Sequence, residues 1–360
     1  PKTMRRADYD FRFVRPIRWM VALFGDDVIP VEITGIKSGK LSRGHRFLRP
    51  ALVEDAKAIE SLDDAKELLE KAVSAVKNTV TSAINKTAGV VEIPCAEAYE
   101  QVLMDNFVMV DQDARRELIR QQVIDLAVEE GGHAEIDEDL LEEVNYLVEW
   151  PTALCGKFED KFLALPKECI ITPMREHQRY FPVLKEDGSL LNKFITVRNG
   201  GKEHLEVVAH GNERVLRARL ADAEFFFNED RKQPLEARLA KLCTVSFQEG
   251  LGNMNDKSQR LVKAADMIAF GLNSKVDKEK LARTALLCKT DLVTGMVVEF
   301  TELQGVMGRE YALLDGEAPE VAKGIFEHYM PRFAGDELPS TDIGRIVGIA
   351  DKLDNIVATF

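Results

Sequence analysis

The sequence predicts an α+β fold, in which a mixed domain is followed by a helical one. Up to about residue 203, short segments rich in β-branched residues alternate with helical stretches, and glycines and prolines separate them. Beyond that point, apolar residues recur at the spacing of one helix face. A chain of 360 residues is long enough for two or three domains. We therefore place one domain at 1–203 and a second at 204–360.

The N-terminal part predicts a helix, a strand and a second, longer helical stretch. The apolar run from Phe11 to Pro30 favours a helix through Trp19 to Phe24, which Gly25 would close. Val28 to Ile33 predicts a strand because β-branched residues are enriched there. In residues 54–86, apolar residues recur at helical spacing against a polar background, which predicts a helix.

The centre of the first domain predicts further helices and a short strand. Residues 97–130 predict one or two helices around a strand-like segment, Phe107 to Val110, with a break at Gly131-Gly132. Cys169 to Ile171 predicts a strand. The next residue, Thr172, is expected to cap a helix that has a proline in its first turn.

A hairpin closes the first domain, and long helices follow it. Val183-Leu184 and Phe194 to Val197 predict the two hairpin strands. Two apolar helical stripes follow, and we expect both to be buried. The first is Leu216, Leu220, Ala223 and Phe227; the second is Leu261, Ala265, Ile268 and Leu272. The last helix should start at Ser340 or Thr341 and bury one face, made of Ile343, Val347, Ala350, Leu353, Val357 and Phe360. Because it reaches the final residue with no stop signal, we expect this chain to be a fragment of a longer one.

Composition limits the class of protein. The net charge is −13, yet residues 1–50 alone carry eleven Lys/Arg against five Asp/Glu. This local excess of positive charge suits a polyanion or an acidic partner, or it is a solvated surface. The five cysteines form no CxxC pair, no apolar run is long enough to span a membrane, and the charged N-terminus lacks a signal core. We expect a cytoplasmic protein that does not interact with membranes.

Two polar clusters are candidates for binding RNA. A phosphate-binding loop, a dinucleotide fingerprint, a nucleophile elbow and a zinc-protease motif are all missing from the sequence. Arginine forks bind phosphate bidentately, and a histidine ring can stack on an unpaired base. The candidates are Arg175, His177, Gln178, Arg179, Arg214, Arg217 and Arg219. The alternative for both clusters is a charged helix face that serves only solvation or local ion pairs.

Asp351 and Asp354 are the clearest violation of the local pattern. Both lie on the last helix: Asp351 is at the border of its apolar stripe and Asp354 is inside the stripe. A carboxylate on a buried face is costly unless it is paired or binds a metal. We therefore expect a specific partner for these side chains.

Several ordered stretches resemble the beta subunit of the bacterial heterotetrameric glycyl-tRNA synthetase. They are 13–19 (FVRPIRW), 35–39 (GIKSG), 43–48 (RGHRFL), 172–183 (TPMREHQRYFPV), 192–200 (NKFITVRNG), 211–223 (GNERVLRARLADA) and 350–354 (ADKLD). The resemblance implies the central part of that subunit, without the family's N-terminal segment and C-terminal anticodon-binding domain. Residues 54–92 resemble an insertion relative to the family pattern.

The resemblance also implies a fold for each domain. The first resembles the editing-type domain of the phenylalanyl-tRNA synthetase beta chain, and the second an all-helical HD domain, which in working phosphohydrolases holds a divalent metal. Cys288-Lys289 stands where the His-Asp dyad would be, and Asp351 matches the last ligand. Because a lysine opposes a second cation, we expect no metal, no catalytic residue and a pair between Lys289 and Asp351.

The function implied is the tRNA-binding part of glycine–tRNA ligase. In such an enzyme the alpha subunit carries the chemistry, with ATP and Mg, so no cofactor is expected in this chain. The implied partners are tRNA-Gly and the alpha subunit, in an alpha2beta2 heterotetramer. The alternatives are an HD-type metal-dependent phosphohydrolase, a structured-RNA-binding scaffold outside aminoacylation, and, for residues 1–150, a scaffold for the alpha subunit alone.

Overall fold

The structure is a computed structural model that describes residues 3–5, 8–48 and 89–360. The helix expected at 54–86 lies outside these residues, as does the expected insertion up to residue 88. The chain divides into two compact units: unit 1 is Pro1–Leu154 with Ile195–Leu205, and unit 2 is Cys155–Phe194 with Glu206–Phe360. No helix among the described residues is both long and apolar enough to cross a membrane. The boundary at 203/204 stays a prediction.

Unit 1 begins with short antiparallel strand pairs. The strands are β1 (Met4–Arg5), β2 (Arg12–Phe13), β3 (Leu23–Phe24), β4 (Asp27–Val28), β5 (Glu32–Ile33), β6 (Ile36–Lys37), β7 (Leu41–Arg43) and β8 (Val90–Glu92). They pair in sequence as β1–β2, β3–β4, β5–β6 and β7–β8. The end of the expected insertion, at 90–92, is therefore a strand and not a helix.

The helix expected through Trp19 to Phe24 is wrong. Leu23 pairs with Val28 and Phe24 with Asp27, so this stretch turns back on itself as a hairpin. Gly25 adopts a φ of 55°, a left-handed conformation that glycine accepts without strain. Residues 19–24 are continuously apolar and have no polar face, and such a run does not distinguish a helix from a strand. The strand expected over Val28 to Ile33 is present only at its two ends, in β4 and β5.

Helices make up the rest of unit 1. They are α1 (Tyr99–Asp105), α2 (Gln112–Glu129) and α3 (Glu138–Leu147). A short strand, β9 (His133–Ala134), lies between α2 and α3. Asp111 caps α2 and Asp137 caps α3, each accepting hydrogen bonds from two backbone N–H groups. The two helices expected in 97–130 are confirmed, but Phe107 to Val110 is a loop, in which Phe107 has a φ of 59°. A small core forms around Val91, Ile93 and Leu103.

The segment between the helical regions carries the predicted hairpin. It contains β10 (Pro151–Lys157), α4 (Lys167–Thr172), a π-helix (Pro173–His177), β11 (Phe181–Leu184) and β12 (Leu190–Asn199). Strand β12 lies between β10 and β11, so the hairpin of β11 and β12 is confirmed. The strand expected at Cys169 to Ile171 is wrong because these residues belong to α4. The chain continues through Pro173 as a wider π-turn, since proline cannot donate the normal helical hydrogen bond.

Unit 2 is mainly helical. Its main helices are α5 (Leu205–Asp230), α6 (Leu239–Leu242), α7 (Met254–Gly271), α8 (Lys278–Leu287), α9 (Gly295–Glu299), α10 (Val306–Leu314), α11 (Pro319–Glu327) and α12 (Asp342–Thr359). A short hairpin, β13 (Ser246–Gln248) and β14 (Gly252–Asn253), precedes α7. Short 3₁₀ turns lie at Asp160–Ala164, Leu235–Arg238, Thr290–Val293 and Thr301–Leu303 in this unit, and at Ala96–Ala98 in unit 1.

The core of unit 2 follows the predicted helical stripes. Leu216, Leu220 and Ala223 are fully buried, and Phe227 nearly so. On α7, Leu261 and Ala265 are buried, but Leu272 is exposed because it lies at the helix end. These side chains pack into one apolar cluster with residues from α4, α8, α10 and α11.

The last helix starts where the sequence predicts and is buried for only part of its length. Thr341 caps α12, its hydroxyl accepting from the Gly344 N–H at 3.0 Å. Ile343, Val347 and Ala350 are buried. The expectation that the stripe stays buried to its end is wrong in the described residues: Leu353, Val357 and Phe360 are exposed. In unit 2, α12 packs against α7, α8 and α11.

Candidate functional site: a lysine-filled carboxylate cluster

The two aspartates of α12 are surrounded by cations in unit 2. Lys257 Nζ lies 2.9 Å from Asp351 Oδ1 and 2.9 Å from Asp354 Oδ2. Lys289 Nζ lies 2.9 Å from Asp351 Oδ2. Each carboxylate oxygen of Asp351 therefore faces its own ammonium group. The expected pair between Lys289 and Asp351 is present, and Lys257 is an additional partner that the sequence reading did not identify.

The helix pattern explains the position of Lys257. It precedes Leu261 by four residues and Ala265 by eight, so it lies on the buried stripe of α7. Only 2% of the residue is exposed. A third acceptor, Asn355 Oδ1, lies 2.9 Å from its Nζ, and the ammonium lies 4.3 Å from the ring centroid of Phe247. Its ammonium thus donates hydrogen bonds to Asp354 and Asn355 and forms an ion pair with Asp351, which offsets the cost of burying its charge.

Arg260 completes the pairing of Asp354. It lies nearly one helical turn after Lys257 on α7. Its Nε donates to Asp354 Oδ1 at 2.7 Å and its Nη2 to Oδ2 at 3.1 Å. This is the bidentate geometry that gives arginine–carboxylate pairs their strength. Asp354, placed by the sequence inside an apolar stripe, thus has two cationic partners, which accounts for the violation of the pattern.

The surroundings of Lys289 shift several pKa values. Burial alone would raise the pKa of Asp351, but the ammonium groups of Lys289 and Lys257 outweigh burial and lower it to about 2. Burial, with the nearby charge of Lys289, holds the pKa of His328 well below its usual value, so this ring is neutral at pH 7. Burial raises the pKa of the Cys288 thiol to about 12. Cys288 is therefore an inert thiol in the core and not a nucleophile.

The cluster does not fit a divalent metal. An HD-type metal site needs carboxylate and imidazole ligands with free lone pairs. The two oxygens of Asp351 lie 2.9 Å from the ammonium nitrogens of Lys257 and Lys289, and these two positive charges would repel a divalent cation. Across the part of the chain that the structure describes, no set of three or more His, Cys, Asp or Glu side chains is arranged to hold a metal ion.

A cavity of about 360 Å³ opens beside the cluster. Its lining includes Phe247, Gln304, Lys289, His328 and Tyr329. The ammonium of Lys289 lies 4.0 Å from the ring centroid of Tyr329, a close cation–π contact. His328 donates from Nδ1 to the Ile325 carbonyl at 2.5 Å, which leaves its Nε2 as an acceptor. The cavity is thus lined by cationic, aromatic and polar groups.

The first set of RNA candidates lies on the π-helix and just after it. His177 stacks on Phe300, with ring centroids 5.8 Å apart. Arg179 has a φ of 60°, and its guanidinium donates to the carbonyl of Glu176, so it closes the end of the turn. Arg175 and Gln178 are half-buried. π-turns and left-handed non-glycine residues both concentrate at functional sites.

The second set of RNA candidates lies on α5. Arg214 is exposed, and it makes no ion pair within the described residues. Arg217 pairs with Glu159, and Arg219 Nη1 lies 3.4 Å from Glu299 Oε1. Both pairs are partly exposed to solvent, and pairs of this kind contribute at most about 1 kcal/mol. A phosphate group can therefore displace these carboxylates at little cost.

A family model and individual relatives both match this chain to one protein family. The family model described as glycyl-tRNA synthetase beta subunit matches residues 1–88 and 65–360. The glycine–tRNA ligase beta subunit of Desulforamulus reducens is 48% identical over 361 residues, which cover 100% of this chain and 46% of the relative. The beta subunits of Moorella thermoacetica and Bacillus subtilis are 48% and 44% identical, covering 46% and 47% of those proteins. The chain thus spans about half the length of the curated relatives it matches.

Proposed function

This chain belongs to the glycyl-tRNA synthetase beta-subunit family, and on that premise we propose that it is the tRNA-binding, non-catalytic part of a glycine–tRNA ligase. In this proposal it supports the ATP-dependent attachment of glycine to tRNA-Gly. The chemistry, with its ATP and Mg, lies in an alpha subunit, with which the full protein forms an alpha2beta2 heterotetramer in the cytoplasm. The chain itself needs no cofactor.

The lysine contacts of Asp351 are the observation that supports a non-catalytic role. Asp351 is the residue that matches the last metal ligand of a working HD domain, and Lys257 and Lys289 hold both of its oxygens at 2.9 Å. A cluster already neutralised by lysines has no place for a divalent ion. This argues against a phosphohydrolase and favours a fold that is kept for binding.

The proposal also assigns a fold to each of the two domains. We propose that residues 204–360 form an HD-like bundle, in which Cys288, Lys289 and Asp351 occupy the former metal positions. The approach of Lys289 to Asp351 supports it. We propose that residues 1–203, with an insertion at about 54–92, form a domain related to the editing-type domain of phenylalanyl-tRNA synthetase. The mixed strands and helices of unit 1 are compatible with this assignment.

We assign the contact with tRNA to the two polar clusters, namely Arg175, His177, Gln178, Arg179, Arg214, Arg217 and Arg219. Arg214 is the strongest candidate because it is exposed on α5. The ion pairs of Arg217 and Arg219 are weak enough to be exchanged for phosphates. Each arginine that neutralises a phosphate releases counterions, so affinity should fall with salt.

The experiment is ATP–pyrophosphate exchange by this chain with and without an alpha subunit. The proposal expects no glycine-dependent exchange from the chain alone. It also expects tRNA binding that weakens as salt rises and that prefers tRNA-Gly over other tRNAs. Exchange by the isolated chain, or manganese-dependent hydrolysis of a nucleotide by it, would contradict the proposal.

A further inference from the structure

Unit 1 contains a groove in which arginines alternate with exposed aromatic rings. It encloses about 900 Å³, which is in the range of nucleotide-sized ligand sites. Its cationic and aromatic lining consists of Arg15, Arg18, Trp19, Arg46, Phe47 and Tyr146. Trp19, Phe47 and Tyr146 are 44%, 77% and 60% exposed. Large exposed rings concentrated in one groove indicate a binding surface.

The charge of the groove is positive and unneutralised. Among the lining residues that the structure describes, three are arginines and Glu149 is the one carboxylate. Arg15, Arg18 and Arg46 make no ion pair with any residue that the structure describes. This sets the groove apart from α2, where Arg116 and Arg120 are held by neighbouring carboxylates. An anionic ligand can therefore bind these arginines without displacing a described carboxylate, and Arg46 already lies 5.5 Å from the ring centroid of Phe47.

A buried histidine fixes the walls of the groove. His45 is 1% exposed, and its Nδ1 accepts from the backbone N–H groups of Phe47 at 3.2 Å and Leu48 at 3.1 Å. Its proton must therefore sit on Nε2, which donates to Asn199 Oδ1 at 3.0 Å. The same Asn199 oxygen accepts from the N–H groups of Glu149 and Trp150, at 2.9 Å and 3.0 Å. One His–Asn pair thus holds two lining segments in place.

We propose that this groove binds unpaired nucleotides of an RNA, with Trp19, Phe47 and Tyr146 as stacking surfaces and Arg15, Arg18 and Arg46 on the phosphates. The inference rests on the proposed function, to which it adds a site and a mode of recognition. Binding of single-stranded nucleic acid combines a cationic track with aromatic planes for successive bases. An acidic protein segment would satisfy the arginines but would leave the exposed rings without stacking partners, so RNA is the better match.

The test uses the full-length protein with any alpha subunit it assembles with. We would measure the Kd for tRNA-Gly and for a short fluorescein-labelled single-stranded RNA. Trp19→Leu keeps every charge and should weaken binding at least about fivefold through lost stacking. Arg18→Gln combined with Arg46→Gln should lower the slope of log K against log salt by about 1.4, from two lost phosphate contacts. Arg116→Gln, which removes an arginine already paired on α2, is the matched control and should change neither quantity.

A second measurement does not depend on the folding of any variant. Ultraviolet crosslinking of wild-type protein to the labelled RNA should attach it to peptides containing Trp19, Phe47 or Tyr146. The inference is wrong if the groove variants bind RNA like wild type and the crosslinks lie elsewhere; the proposed function would then survive. If the groove variants lose association with the alpha subunit but still bind RNA, the groove is a protein interface, and the inference is again wrong. If wild-type protein binds no tRNA, the proposed function fails together with the groove.

Discussion

Replacing Lys257 with methionine should selectively destabilise unit 2. The residue is 2% exposed; its ammonium donates to Asp354 and Asn355 and forms an ion pair with Asp351, each at 2.9 Å. Lys257→Met keeps the length of the side chain but leaves the buried carboxylate of Asp351 and the half-buried carboxylate of Asp354 with one cation fewer. Breaking a buried ion pair on one side costs about 3–5 kcal/mol. Because Lys289 and Arg260 still pair with the aspartates, we expect the lower end, about 3 kcal/mol.

The assay can separate the two units. Both tryptophans of the chain, Trp19 and Trp150, lie in unit 1, so their fluorescence reports on that unit. Far-UV circular dichroism is dominated by the helices of unit 2. In urea titrations of the 360-residue chain at pH 7, Lys257→Met should shift the dichroism transition and leave the fluorescence transition in place.

A matched control guards against a general effect of losing a lysine. Lys161 pairs with Glu224 at 2.8 Å, but its side chain is 57% exposed. Lys161→Met should therefore change the free energy of unfolding by less than about 1 kcal/mol. If Lys257→Met costs no more than this control, the buried cluster does not hold α7 to α12, and our account of it fails.

Three further predictions concern the same unit. Because the pKa of Asp351 is lowered from 3.8 to about 2, its ionised form contributes on the order of 2 kcal/mol above pH 4, and this is lost as pH falls through 2. The urea midpoints of wild type and Asp351→Asn should therefore converge in that window, and parallel curves would contradict this. Glu327 accepts four hydrogen bonds from Ser340 and Thr341 at the start of α12. Glu327→Gln should therefore lower the free energy of unfolding by about 2–3 kcal/mol. The control is Glu320→Gln at an exposed ion pair, which should lower it by less than about 1 kcal/mol. Millimolar manganese or EDTA should leave the thermal midpoint of the wild-type chain unchanged; a manganese-dependent rise that is lost in Asp351→Asn would show a metal site at Asp351.

The sequence predicts the helical part better than the N-terminal part, for a physical reason. On α5 and α12, polar and apolar faces alternate at the helical period, so the buried face is readable along α5 and in the first half of α12, and Thr341 marks where α12 starts. The run from Phe11 to Pro30 has no such alternation. Its hairpin depends on Gly25 at positive φ and on pairing across the turn, neither of which apolarity alone specifies.

The site was predictable in part. Asp351 and Asp354 violate the apolar stripe of α12, which correctly points to buried partners, and Lys289 is one of them. Lys257 was missed although a signal existed: it falls on the stripe of Leu261 and Ala265, where a lysine breaks the same rule. Which lysine meets which aspartate depends on how α7 and α12 pack together, and a single sequence does not encode that packing as a local pattern.

The central claim is that this chain contributes tRNA binding and not activation chemistry. The most direct test is to compare ATP–pyrophosphate exchange with tRNA glycylation in the assembled full-length enzyme carrying Arg214→Gln, Arg217→Gln and Arg219→Gln. We predict that the KM for tRNA rises and glycylation at limiting tRNA falls, while glycine-dependent exchange stays at the wild-type rate. Equal loss of both activities, or unchanged glycylation at limiting tRNA, would contradict the account.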